Sequence, residues 1–254
     1  MLESPNKLLG WNGKKPEGII IHYTAGSTLA GAYNTLMNPK TKASAHVIID
    51  KDGSITNIVS VENRAWHAGT SSWIDKSNCN NFMLGIELVN VGYLNSSKYE
   101  NGKTKITTSY GSLFIGESQY DFNTEKLWDV FPQEQIDTLI EVVNEWQEKF
   151  QIPNSMVVGH SHISPKRKID PGPLFPWYRI EENCLTTFDS PKEYLRSIQS
   201  HLTRLDFECG TIDGIYGKNT LHALTECSVK YNFKFDGKIE NNEKYFSNLL
   251  RRIY

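Results

Sequence analysis

Residues 156–177 read MVVGHSHISPKRKIDPGPLFPW. Met156, Val157 and Val158 run into Gly159 and His160, which reads as a buried strand ending at a turn. Ser161 to Pro165 make the turn, Lys166, Arg167 and Lys168 follow, and Asp170 stands just ahead of Pro171-Gly172-Pro173. An imidazole and a carboxylate on one stiff loop could be two-thirds of a zinc site. The third part has to come from elsewhere in the chain.

Working outward, Gly18-Ile19-Ile20-Ile21-His22 is a continuous apolar run that also stops on a histidine. Such a run reads as a strand buried on both faces. Ser44 to Asp50 reads as another strand, and Lys51-Asp52-Gly53-Ser54 as a tight hairpin turn into Ile55–Val59. Phe82 to Asn90 reads as a third apolar strand and carries one acid, Glu87. Helices are expected over Thr28–Met37, closed by Asn38-Pro39, and over Pro132–Phe150. In the second of these, Ile136, Leu139, Ile140, Val143 and Trp146 recur at helical spacing. Strands alternating with long helices give an α/β or α+β domain ending near Trp177. Residues 93–123 are polar and rich in glycine and serine, and read as an insertion forming a hairpin or flap.

Sites in open sheets form at the carboxyl ends of strands, where side chains from separate strands converge. His22 and His160 both lie at such ends, and Asp170 follows one of them in sequence. Two histidines and a carboxylate, with a fourth position left to water, make an open catalytic zinc pattern. A carboxylate set in an apolar strand is costly to bury unless it is paired or working. Desolvation raises its pKa, which suits Glu87 to act as a general base on metal-activated water. Lys168, two residues before Asp170, can present an ammonium to a developing oxyanion. Each of these residues also has an ordinary reading, as a solvated histidine, a paired strand-end acid or a surface lysine.

The totals set bounds. The chain has 254 residues, 39% hydrophobic and 22% charged, which suits a folded protein with one sizeable core plus a small satellite. A net charge of −2 provides no field that would draw nucleic acid or an anionic membrane. Cys79, Cys184, Cys209 and Cys227 form no C-x-x-C pair, so buried free thiols are expected, with a Cys209–Cys227 bridge as the alternative. No stretch approaches the ~20 apolar residues of a membrane span. The N-terminal MLESPNKLLGWNG lacks the regions of a signal peptide, so the expectation is synthesis in the cytoplasm or a trimmed mature chain.

The segments IIIHYTAG, SAHVIIDKDGSI, AWHAG, LGIELVN and VVGHSHISPKRKIDPGPLFPW, in this order, resemble the zinc-dependent N-acetylmuramoyl-L-alanine amidases of the amidase-2 family. The resemblance runs from about Gly18 to Trp177. It implies a mixed β-sheet flanked by helices, and hydrolysis of the amide between N-acetylmuramic acid and L-alanine of peptidoglycan. It implies zinc held by His22, His160 and Asp170, Glu87 as acid/base and Lys168 as the transition-state lysine. His46 and His67 fall on family positions near the cleft, for contacts with substrate or around the ligands, and Arg167 joins them as a substrate-binding residue. The family usually carries an aspartate where this chain has His162, an imidazole that could compete for zinc.

The C-terminal part resembles a three-helix peptidoglycan-binding domain, through Leu195–Leu202, Ile212–Thr220 and Ala223-Leu224, with Asp236-Gly237-Lys238-Ile239 as an echo of the same turn. Tyr216 stands there where an aromatic could meet a sugar. A small helical appendage packed on the catalytic part is the plainer reading. The expected division is a catalytic domain over residues 1–180, a linker over 181–190 and the helical domain over 191–254. The partner implied is peptidoglycan or its muropeptides, with no nucleic acid and no membrane span, and with oligomeric state left open. The setting implied is the cell wall, reached from the periplasm, by secretion, or as a phage lysin made in the host cytoplasm. The alternative is a recognition module that grips peptidoglycan without cutting it.

Overall fold

The structure, a computed structural model, describes residues 3–98, 103–122, 124–177, 179–180, 191–230, 235 and 237. In chain order its main elements are β1 (Gly18–Tyr23), α1 (Leu29–Met37), β2 (Val47–Ile49), β3 (Ile55–Asn57) and β4 (Met83–Leu88). An insertion follows with β5 (Tyr93–Lys98), β6 (Thr104–Thr108), β7 (Ser118–Asp121) and β8 (Lys126–Asp129). Then come α2 (Gln133–Phe150), β9 (Val157–Gly159), α3 (His160–Ile163), α4 (Pro191–Arg204) and α5 (Lys218–Lys230).

The central sheet has the order β9-β1-β4-β2-β3. The first four strands run parallel, and only β3 is antiparallel, folded back on β2 by the hairpin at Asp50–Ser54. This is the mixed α+β architecture expected from the sequence. Parallel strands covered on both faces need apolar residues at every position, which explains the unbroken Ile19-Ile20-Ile21 run.

Each face has its own set. Ile19 and Ile21 of β1 and Leu84, Ile86 and Leu88 of β4 pack with Ile136, Leu139, Val143 and Trp146 of α2. The helix obeys the expected spacing and starts after Pro132. Burying each such aliphatic side chain contributes about 1.5–3 kcal/mol. On the other face Ile20, Met83 and Val158 meet Ala68, Trp73, Cys79, Phe82 and Ile163. Side chains alternate along a strand, so His22, Gly85 and Glu87 continue this second face. In α1, Thr28 lies outside the helix and caps it, accepting the Gly31 N–H at 3.2 Å.

The insertion forms an antiparallel sheet of order β6-β5-β8-β7, larger than a hairpin and extending to Asp129. Asp129 ties it to the central unit through Lys51, at 2.7 Å. Trp128 of β8 lies against Gly172 of the loop that carries Asp170.

Helices α4 and α5 enclose a separate small core of Ile198, Leu202, Leu205, Phe207, Ala223 and Leu224. Cys209 and Cys227 belong to it as buried free thiols, as does Cys79 in the larger unit. The expected linker 181–190, Cys184 within it, and most of the segment after Lys230 lie outside the described residues. Tyr216 donates its hydroxyl to the Gly237 carbonyl at 2.8 Å. Helix α4 sits on the larger unit: Arg196 pairs with Asp75 at 2.9 Å, the Ile74 N–H donates to Ser200, and His201 meets the rings of Trp73 and His162. Among the described residues no helix is long and apolar enough to cross a membrane.

Candidate metal centre

Strand register brings the site together. His22 of β1 pairs across the ladder with Glu87 of β4, and Glu87 in turn pairs with Ile48 of β2. Gly159 of β9 faces Ile21, so the next residue, His160, enters in the row of His22. The chain then turns through α3 and returns, with the Ser161 N–H donating to the Asp170 carbonyl at 2.8 Å. Gly159 is required here, because a Cβ on it would stand 2.6 Å from the Pro171 ring. The carboxylate of Asp170 is thereby delivered between the two imidazoles.

His22 Nδ1 lies 2.9 Å from His160 Nδ1, and each lies 3.0 Å from Asp170 Oδ2. All three residues are buried, and among the described residues they form the group of donors that could hold a metal ion. The surrounding hydrogen bonds assign the protons. His160 Nε2 lies 3.1 Å from the Ala68 carbonyl, an acceptor, and 3.4 Å from the Arg167 guanidinium, a donor; the shorter contact assigns the proton of His160 to Nε2. His67 Nε2 lies 3.1 Å from the Met83 carbonyl and is likewise the protonated nitrogen. His67 Nδ1 is then an acceptor, and the proton in its 3.0 Å bond with His22 comes from His22 Nε2. Both Nδ1 atoms therefore turn lone pairs toward a carboxylate. Three lone-pair donors within 3.0 Å repel one another, and a positive charge among them, a metal ion or a proton, relieves that repulsion. Burial, reinforced by the neighbouring His160, keeps His22 neutral by lowering its pKa to about 4, and burial holds His67 well below its ordinary value.

Glu87 is half-buried, but its Oε2 is withdrawn from solvent and has no hydrogen-bond partner among the described residues. Burial pushes its pKa up to about 8, the charge on Asp170 adds to the effect, and the Lys168 ammonium works against it. Lys168 also acts electrostatically on His22, which places its charge at the same centre. An acid of raised basicity, a cation and a cluster of three ligand atoms thus share one end of the sheet.

His46, His67 and Arg167, expected to contact substrate or the surroundings of the candidate ligands, all make hydrogen bonds within the frame. His46 is fully buried, with Nδ1 accepting the Gly85 N–H at 2.9 Å and Nε2 donating to the Asn63 carbonyl at 3.1 Å. His67 backs His22. The exposed Arg167 turns its guanidinium onto the Ala68 and Thr70 carbonyls at 2.7 and 3.1 Å. All three direct their hydrogen bonds into the frame around His22, His160 and Asp170. His162 does not join the cluster: its Nδ1 accepts the Gly159 N–H at 2.9 Å, and its ring lies between those of Trp177 and His201. Sequence reading missed the Ala68 carbonyl and Asn80, whose Oδ1 accepts the N–H groups of both His67 and Ala68. A backbone carbonyl has no sequence signature, and a lone asparagine in a polar stretch carries none either. Tyr23, the residue after His22, was also missed; burial and the Asp170 charge raise its phenol well above the ordinary value.

The pattern of the family described as "Amidase_2: N-acetylmuramoyl-L-alanine amidase" matches residues 12–173. The 1,6-anhydro-N-acetylmuramyl-L-alanine amidase AmpD of Haemophilus influenzae is 32% identical over 139 residues, covering 54% of this chain and 56% of the relative. The N-acetylmuramoyl-L-alanine amidase AmiD of Escherichia coli is 29% identical over 174 residues, covering 65% of this chain and 51% of the relative. The chain thus spans about half the length of these two relatives. The solved structure of E. coli AmiD with anhydro-N-acetylmuramic acid-L-Ala-D-gamma-Glu-L-Lys shares the fold, with a TM-score of 0.51, 21% identity, and coverage of 92% of this chain and 93% of that one.

Proposed function

Because the chain belongs to the N-acetylmuramoyl-L-alanine amidase family, we propose that it is a zinc-dependent hydrolase of the amide between N-acetylmuramic acid and L-alanine in peptidoglycan or muropeptides. The observation that carries this reading is the meeting of His22 Nδ1, His160 Nδ1 and Asp170 Oδ2 within 3.0 Å, in the strand row that also holds Glu87. Two imidazoles and one carboxylate suit zinc. Tetrahedral zinc at its usual bond lengths spaces ligand atoms by about 3.3 Å, so the cluster needs to open by only a few tenths of an ångström. Zinc, when bound, would supply a Lewis acid for the scissile carbonyl and lower the pKa of water.

The chain's own groups divide the remaining work. Glu87, more basic than an ordinary glutamate, takes the proton of the attacking water and returns it to the departing L-alanine nitrogen. Lys168 meets the negative charge that develops on the carbonyl oxygen. The Nε2–H bonds to Ala68 and His67 hold both ligand imidazoles in one orientation throughout. Helices α4 and α5, with their own core, are the start of a wall-binding segment of the 191–254 domain. Such an anchor favours action on the cell wall over action on small soluble muropeptides.

Digestion of purified sacculi with and without a chelator, followed by product masses, tests the reading. Release of stem peptides beginning at L-alanine, with intact muramic acid and loss of release on chelation, is the expected result. Release of other fragments would point to a peptidase, and sugar binding without release would point to a recognition module.

A further inference from the structure

The two ligand histidines are held from behind by consecutive residues of one loop. His67 receives the Nε2–H of His22, and the carbonyl of Ala68 receives the Nε2–H of His160. A loop asked to fix two imidazoles at once needs an anchor of its own. Arg167 holds the Ala68 carbonyl from one side, and on the other a single oxygen serves both backbone amides: Asn80 Oδ1 accepts the His67 N–H at 3.0 Å and the Ala68 N–H at 2.8 Å. Asn80 is itself seated firmly, in a short 3₁₀ turn over Cys79–Asn81. The Asn78 N–H donates to the Ser71 carbonyl at 2.8 Å, the Cys79 N–H to the Ser71 hydroxyl at 3.1 Å, and Arg64 to the Asn81 side chain at 3.0 Å.

The opposite side of the loop is fixed by β4. His67 lies flat on Gly85, where a Cβ would stand 2.5 Å from its Cγ and Nδ1. The ring is therefore trapped between Gly85 below, the Met83 carbonyl at one nitrogen and His22 at the other.

We propose that Asn80 is a positioning residue of the metal centre, which sets the proton positions on both ligand histidines by holding the His67–Ala68 loop. The chain of cause is short. Without the Asn80 oxygen the two amides lose their common acceptor, and the loop no longer presents His67 Nδ1 and the Ala68 carbonyl together. Each ligand imidazole is then free to carry its proton on Nδ1, the atom that has to bind the ion. Partners that orient a ligand histidine typically matter by about 10–100-fold in metal affinity. The inference rests on the functional reading for its consequence in zinc binding, but not for its statement about protons.

The test uses the full chain. Nitrogen-15 shifts of the histidine side chains in metal-free protein report which ring nitrogen carries the proton, and competition with a chromophoric chelator reports zinc affinity. In the unaltered protein His22 and His160 are expected in the Nε2–H form. Asn80→Ala should mix the two forms at both histidines and lower zinc affinity about 10–100-fold. Asn80→Asp, which keeps an acceptor oxygen, should restore both. Gly85→Ala attacks the same loop through the His67 ring, and should disturb the proton on His22 while leaving that on His160. It serves as the independent variant should Asn80→Ala lose its native circular dichroism. Wild-type Nε2–H signals and zinc affinity in folded Asn80→Ala would overturn the proposal, as would folded Asn80→Asp behaving like the alanine variant. Wild-type protein that binds no zinc would overturn the functional reading, while a change of proton position in Asn80→Ala would still support the role of Asn80.

Discussion

Replacing Glu87 with glutamine should make the metal-free protein more stable and the enzyme nearly inactive. The carboxyl protonates near 4.5 in an unfolded chain and, through burial and the Asp170 charge, near 8 in the native one. The sign follows from linkage. Below 4.5 both states are protonated and the group contributes nothing to stability. As pH rises from 4.5 toward 8 the unfolded state ionises while the native state stays neutral, so native stability falls, and above 8 the loss is complete. At pH 7 the interval spanned corresponds to about 3 kcal/mol, an upper bound because part of the side chain reaches solvent. Glutamine removes the ionisation but leaves a buried amide with imperfect partners, which returns about 1–2 kcal/mol. A net gain of about 1–2 kcal/mol remains, read as a rise of roughly 2–8 °C in Tm for a chain of this size. Urea titrations of metal-free Glu87→Gln and the unaltered protein at pH 5 and pH 7.5 measure it. The gain should be present at 7.5 and turn into a loss of up to about 1 kcal/mol at 5, where the ionisation penalty falls below the cost of the buried amide. In parallel, turnover of a muramyl-peptide substrate should fall by at least about 10²-fold, the lower range for loss of a general acid/base. A Glu87→Gln protein that is less stable at pH 7.5 would show that the carboxylate is a paired structural group. Retained turnover would remove it from the proposed mechanism.

Lys168→Ala should keep stoichiometric zinc by elemental analysis while kcat falls about 10²–10³-fold, since it removes an oxyanion partner and no ligand. His46 provides an acid limb in stability: burial lowers its pKa from 6.5 to about 4, so the unfolded state gains a proton first as pH falls through that window. The native state should lose about 3 kcal/mol between pH 6.5 and 4 from this residue, and the slope should flatten in His46→Asn, as followed by urea midpoints. His162→Ala should cost about 2–3 kcal/mol by orphaning the buried Gly159 N–H and emptying the space between Trp177 and His201, whereas His162→Asp, which can still accept that N–H, should lose less in the same titration.

Much of the molecule was legible in the order of its residues. Uninterrupted apolar runs such as Ile19-Ile20-Ile21 specify strands buried on both faces, and the spacing of Ile136, Leu139, Val143 and Trp146 specifies one helix and its buried side. These are local signals, and local sequence determines them because strand and helix periods are properties of the backbone. The candidates His22, Glu87, His160 and Asp170 were visible for a related reason: a polar group at the end of, or inside, an apolar run is costly unless it has work to do. The extent of the insertion was less legible, because polar strands of an accessory sheet lack a strong alternation.

What only the tertiary structure decided is the arrangement of partners. His46 and His67 look the same in sequence as the candidate ligands His22 and His160. They differ because both nitrogens of each are taken within the frame, by the Asn63 carbonyl and the Gly85 N–H for His46, and by the Met83 carbonyl and His22 for His67. His162, two residues from His160, is turned away by a hydrogen bond to Gly159 and by rings from two other segments. Whether an imidazole offers a lone pair to a metal depends on which of its nitrogens already holds a proton against an acceptor. That acceptor can be a carbonyl or a side chain far away in the chain, as Ala68 is for His160, and only folding brings it within 3.1 Å.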